Sequence, residues 1–197
     1  MAKVAVQTFH TPRERGLEAV RQIAVVVGAS LFVAVCARIA IPLPFTPVPL
    51  TMQNFGVLLV GLLLGSRRGF AALTLYLAEG AMGLPVFSPV GLGGMAQILG
   101  VTGGYLLAYP FVAALAGFIF EQGKKTFVRA AIAGLLAEIL LFVSGLSWLY
   151  FWTHSLAKAA YLGLYWFLAA EVIKVMVAAA VAARGKNFRA DDAKLEF

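Results

Sequence analysis

The chain has 197 residues, of which 61% are hydrophobic and 13% charged, with a formal net charge of +7 and a mean hydropathy of +0.89. Ordinary globular domains carry roughly 25% charged residues, so this composition excludes a water-soluble domain and defines an integral membrane protein. The apolar runs exceed the roughly 9 to 11 residues of a barrel strand, which makes the spans helices. Positive charge scattered in short segments between those runs reads as a topology signal and not as a nucleic-acid surface.

In chain order, a polar stretch (Met1 to Glu18) leads into a run longer than a signal-peptide core and without a small-residue cleavage site, so the run is expected as a retained first span. Six spans are predicted at about 17–40, 49–65, 69–87, 101–120, 127–150 and 159–183. Arg67, Arg68 and Gly69 separate the second from the third, which predicts a tight helical hairpin. The expected organisation is a polar N-terminal tail (1–16), one six-helix substrate-binding bundle (17–183) and a polar C-terminal tail (184–197).

Six spans put both termini, the 2–3 loop and the 4–5 loop on one side. That side collects Lys3, Arg13, Arg15, Arg21, Arg67, Arg68, Lys124, Lys125, Arg129, Arg184, Lys186, Arg189 and Lys194, leaving only Arg38, Lys158 and Lys174 of the 16 cations. Such asymmetry predicts cytoplasmic termini. The opposite loops, Ile41 to Pro49 and Ser88 to Gly100, are rich in proline and glycine and nearly uncharged, so they are expected to pack over the bundle as a cover.

The chain has no G-x-x-x-x-G-K-[ST] phosphate loop and no H-E-x-x-H motif; its histidines are His10 and His154, and Cys36 stands alone. No nucleophile, base and orienting group assemble from the sequence, so no enzyme, cofactor or metal site is expected. Polar groups at membrane depth remain, and these are kept where they have a partner or a job. They are Gln53 and Asn54 in span 2, Tyr76 and Glu79 in span 3, Glu138 in span 5, and Glu171 with Lys174 in span 6. The i, i+3 spacing of Glu171 and Lys174 sets a carboxylate and an ammonium on one helix face, where they either neutralise each other within a network including Glu79 or Glu138, or meet a polar ligand. In span 1 the small residues Ala24 and Gly28, then Ser30 and Ala34, are four apart, a spacing that permits close helix approach, within the bundle or to a partner.

Four stretches taken together resemble one family. PLPFTPVPLTMQNFGVLLVGLLLGSRRG, then LYLAEGAMGLPVFS, then VTGGYLLAYP, and the E-x-x-K of span 6 are similar to the BioY family, the biotin-specific S components of energy-coupling factor (ECF) transporters. The resemblance implies an all-α bundle of six helices in the bacterial inner membrane. It would capture biotin from outside and release it inside with a T component and two ATPase subunits, although some members act without that module. The family's usual P-G-D-x-x-K is here Ala169, Ala170, Glu171 and Lys174; Glu138 stands where asparagine is frequent; and SPVGLGG lacks the arginine that some members place near the biotin carboxylate.

Biotin offers a cyclic urea, a thioether ring and a carboxylate tail, which call for an acceptor, donors and apolar walls. On this resemblance Glu171 is expected at a ureido N–H and Lys174 at the ureido carbonyl or the tail. Gln53, Tyr105, Gly93, Gly94 and Glu138 are further candidates, with Phe45, Phe87 and Trp148 as walls, and Ala24, Gly28, Ser30 and Ala34 would face the T component. A fold tuned to another vitamin, and a structural membrane protein whose charges only pair, stand as alternatives.

Overall fold

The computed structural model describes residues 12–192; Lys3, His10, Lys194 and most of the expected N-terminal tail lie outside the described residues. The described residues are mostly helical, at 77%. Helix α1 (Pro12–Arg38) is followed by two short strands, β1 (Ala40–Ile41) and β2 (Leu50–Thr51), paired antiparallel with Ala40 opposite Thr51. Then come α2 (Gln53–Leu64), α3 (Ser66–Ala81), the short α4 (Gly94–Leu99), α5 (Gly103–Glu121) and α6 (Phe127–Thr153). The chain closes with α7 (Leu156–Ala160), a π-helical turn (Tyr161–Tyr165) and α8 (Leu168–Asp192), so helix continues well into the expected C-terminal tail.

Among the described residues, three helices are long and apolar enough to cross a membrane alone: Gly16–Arg38, Gly103–Glu121 and Phe127–Thr153. A fourth crossing forms if Leu156–Tyr165 and Leu168–Gly185, bent by 44°, count as one span. The predicted second and third spans are shorter than the sequence suggested. Helix α2 has 12 residues, roughly 18 Å at 1.5 Å per residue, against a hydrocarbon core of roughly 30 Å. The apolar stretch before it is spent on the β1–β2 connection, where prolines prevent helix.

Helix α5 sits centrally, packed on α2, α3 and α6. Small residues allow this. A Cβ on Gly61 of α2 would lie 2.4 Å from the Ala113 carbonyl oxygen, and one on Gly117 would lie 2.5 Å from the Ser66 nitrogen, so the backbones are in direct contact. The predicted hairpin is joined by Gly65 alone, whose φ of +84° favours glycine. The Glu121 carboxylate holds the joint by accepting from the Ser66 N–H at 3.3 Å. Large side chains such as Phe118, Val128, Ile139 and Val143 point outward and are exposed, as expected of a surface solvated by lipid.

The small-residue face of α1 needs correction. Ala24 and Gly28 are exposed, and nothing lies within 4 Å of a Cβ built on Gly28. Ser30 is fully buried and its hydroxyl donates to the Glu79 carboxylate of α3. At 100° per residue the two pairs lie roughly 120° apart around the helix, so they are separate faces, and Ser30 serves the bundle interior. Cys36 is likewise buried, beside Gly56.

Candidate ligand-binding site

Four helices each turn one face toward a common cavity. Thr102, Tyr105, Leu106 and Tyr109 follow the i, i+3, i+4, i+7 spacing from the start of α5; Leu141 and Phe142 come from α6; Phe167 and Glu171 lie one turn apart at the start of α8; Gln53 and Asn54 open α2. Loop residues Val48, Pro49 and Ser88, with Gln97 of α4, complete a partly open cavity.

Beneath it lies a buried polar chain. Asn54 donates both amide hydrogens, to Glu138 Oε1 at 2.5 Å and to Glu171 Oε2 at 2.8 Å. Lys174 Nζ donates to Glu171 Oε1 at 2.7 Å and to the Thr51 carbonyl at 2.6 Å. The expected Glu171–Lys174 pair is therefore formed, and both residues are 7% exposed. Desolvating two charges is tolerated only when their remaining hydrogen-bonding groups also find partners, and Asn54 and the Thr51 carbonyl serve that purpose. With two carboxylates facing Nδ2, the carboxamide orientation is fixed, which leaves Asn54 Oδ1 as a buried acceptor without a partner among the described residues.

The other predicted residues sort differently. Gln53 lines the cavity and donates to the Tyr76 hydroxyl at 2.8 Å, which in turn donates to the Val86 carbonyl. Tyr105 also lines it, but its hydroxyl is committed to the Gly163 carbonyl at 2.8 Å. Glu138 and Lys174 stand behind the wall and act through Asn54 and Glu171. Trp148 turns away, donating to the Gly100 carbonyl at 2.8 Å and lying against Gly103 and Gly104. Phe87 packs edge-on against Tyr76, 5.3 Å between centroids, and over Gly80; Phe45 pairs with Trp166. Gly93 and Gly94 are not in the wall: their positive φ values, +71° and +58°, shape the turn into α4.

Glu79 bonds Ser30 and takes no part in the Glu171 network. Sequence reasoning set Asn54 among the membrane-depth polar groups without assigning it a ligand contact, and it passed over Ser88, Gln97 and Thr102 as site residues. A buried carboxamide beside Gln53 was a signal for the first; the rest lie where only tertiary folding brings loop and helix together.

The slot for Tyr105 rests on two glycines. A Cβ on Gly145 would come within 2.1 Å of the Tyr105 ring, and one on Gly163 within 2.3 Å of its hydroxyl. Gly145→Val is therefore expected to push the ring into the cavity, overpacking by roughly 1–3 kcal/mol and weakening ligand binding at least about tenfold. Binding equal to wild type in the folded variant would contradict this placement.

A mostly helical membrane protein with a partly enclosed cavity and a few convergent buried polar groups has the features of a small-molecule-binding membrane protein. The chain is a member of the BioY family, whose model matches residues 6–191. It is 36% identical over 156 residues to a probable biotin transporter BioY of Pyrococcus horikoshii, covering 79% of this chain and 91% of that protein. It is 35% identical over 151 residues to the biotin transporter BioY of Thermotoga maritima, covering 77% and 88%. The crystal structure of the S-component for biotin from an ECF-type ABC transporter superposes with a TM-score of 0.78 and 26% identity, covering 91% of this chain and 95% of that one.

Proposed function

We propose that this protein is a biotin-capturing S component of the cell membrane, with six crossings and cytoplasmic termini, energised by a separate T component and two ATPase subunits. The observation that carries the reading is the Glu171 carboxylate and the unpartnered Asn54 Oδ1 at one cavity. Two ureido N–H donors need two acceptors, and these residues supply them. Leu106, Leu141, Phe142 and Phe167 offer apolar walls for the thioether ring. The six crossings are supported by the cation asymmetry, with α2 and α3 completing short spans through the adjoining loops. Of the four small residues named on α1, Ala24 and Gly28 are the exposed ones and so the ones available to the T component.

The test is equilibrium binding of labelled biotin to the purified, detergent-solubilised protein. Saturable binding competed by unlabelled biotin is expected; a folded protein that binds none sinks the reading. In cells, Gly28→Trp should spare binding and impair uptake, and unimpaired uptake would remove α1 from the partner face.

A further inference from the structure

The cavity has no cation in its wall. Among the described residues, its lining contains neither lysine, arginine nor histidine. The nearby cations are engaged elsewhere: Lys174 with Glu171 and the Thr51 carbonyl, and Arg38 with the Pro85 carbonyl. What the loop-borne part offers instead is neutral. Ser88 and Gln97 are buried, 4% and 5% exposed, and Thr102 joins them in the wall.

Gln97 is oriented. Its Oε1 accepts the Gly93 N–H at 3.1 Å, and a backbone N–H can only donate, so the oxygen side of the carboxamide is fixed. The Nε2 side is thereby turned the other way. Gly91 holds the group in place: a Cβ there would lie 2.4 Å from Gln97 Cδ. Ser88 Oγ accepts from the Val90 N–H at 3.4 Å, which leaves its own hydrogen to donate.

We propose that the loop-borne end of the cavity receives the ligand's acyl tail through neutral donors, Gln97 Nε2 foremost, so that biotin derivatives whose carboxylate is masked as an amide are ligands alongside biotin. The inference rests on biotin being the ligand of this cavity. A cation in the wall would add charge neutralisation to the hydrogen bond and so penalise loss of the carboxylate charge. Neutral donors still make a charge-assisted bond to a carboxylate, but they leave it buried without a counter-charge, a cost that offsets the gain. An amide tail presents the same carbonyl acceptor at lower desolvation cost.

The experiment is competition of labelled biotin by biotin and by biotinamide, on wild type, Gln97→Glu and Gln97→Lys. Wild type should bind the two within about threefold of each other. Gln97→Glu retains an oxygen for the Gly93 N–H but replaces the donor by a carboxylate, and should weaken biotin at least about tenfold more than biotinamide. Gln97→Lys should move the ratio toward biotin by at least about tenfold, the change expected of roughly 1.4 kcal/mol. Wild type preferring biotin by tenfold or more, or Gln97 variants that leave the ratio unchanged, would overturn the inference. Biotin bound and biotinamide refused removes this inference alone; binding of neither removes the biotin reading with it.

Discussion

Glu171→Leu is expected to destabilise the protein by about 3–5 kcal/mol, because it leaves the Lys174 ammonium buried with only the Thr51 carbonyl. The same change strips Asn54 of one of its two acceptors. If the pair were only structural, removing both charges would repair the damage, since replacing a buried ion pair by packed apolar groups is often neutral. Glu171→Leu/Lys174→Met should accordingly recover most of the lost stability in thermal or denaturant unfolding, while neither variant binds biotin. Stability and binding then separate. A double variant that binds biotin like wild type would move the site away from α8, and a single variant as stable as wild type would show that Lys174 does not depend on Glu171.

Asn54→Leu has the second-largest expected effect. Asn54 supplies the donors that lie between two carboxylates, Glu138 and Glu171. Hydrogen bonds to charged groups contribute roughly 1.5–3 kcal/mol each, so losing both should cost about 3 kcal/mol or more. Glu138 Oε2 already has no partner, and without Asn54 the other oxygen loses its donor too. Adding Glu138→Leu removes that orphaned group and should restore much of the stability, with biotin affinity still at least about tenfold below wild type because the Asn54 acceptor is gone. Full recovery of affinity in the double variant would assign Asn54 a purely structural role. Asn54→Asp should be worse than Asn54→Leu, since it sets three carboxyl groups together.

The Glu171–Lys174 contact was legible because it is local: i and i+3 share a face on any helix. The Asn54 contacts were not, because they join residues 84 and 117 positions apart and depend on how α2, α6 and α8 converge. Glu138 drew attention as a membrane-depth carboxylate, but its rank behind Asn54 follows from packing. The α1 pattern failed for a different reason: spacing within each pair was right, and the phase between the pairs, visible on a helical wheel, was not used. Loop glycines read as ligand-approaching backbone instead fix the turn that aims Gln97, a role that positive φ values reveal and composition does not.

The bent helix pair that ends in α8 also bears on how the molecule is made. Thr46 donates to the Leu162 carbonyl, Asn54 to Glu171, and Lys174 to the Thr51 carbonyl, pairs separated by 116, 117 and 123 residues. Contacts of such long sequence separation form late, after the loop between them has been closed at an entropic cost. A chain emerging from its N-terminus therefore carries α2 with only the Glu138 partner available to Asn54 until the final helix brings Glu171. The side of the cavity that carries Glu171 is thus the last to acquire its shape, and a nascent chain halted before Leu156 holds most of the bundle yet lacks Gly163, Phe167 and Glu171 from its wall.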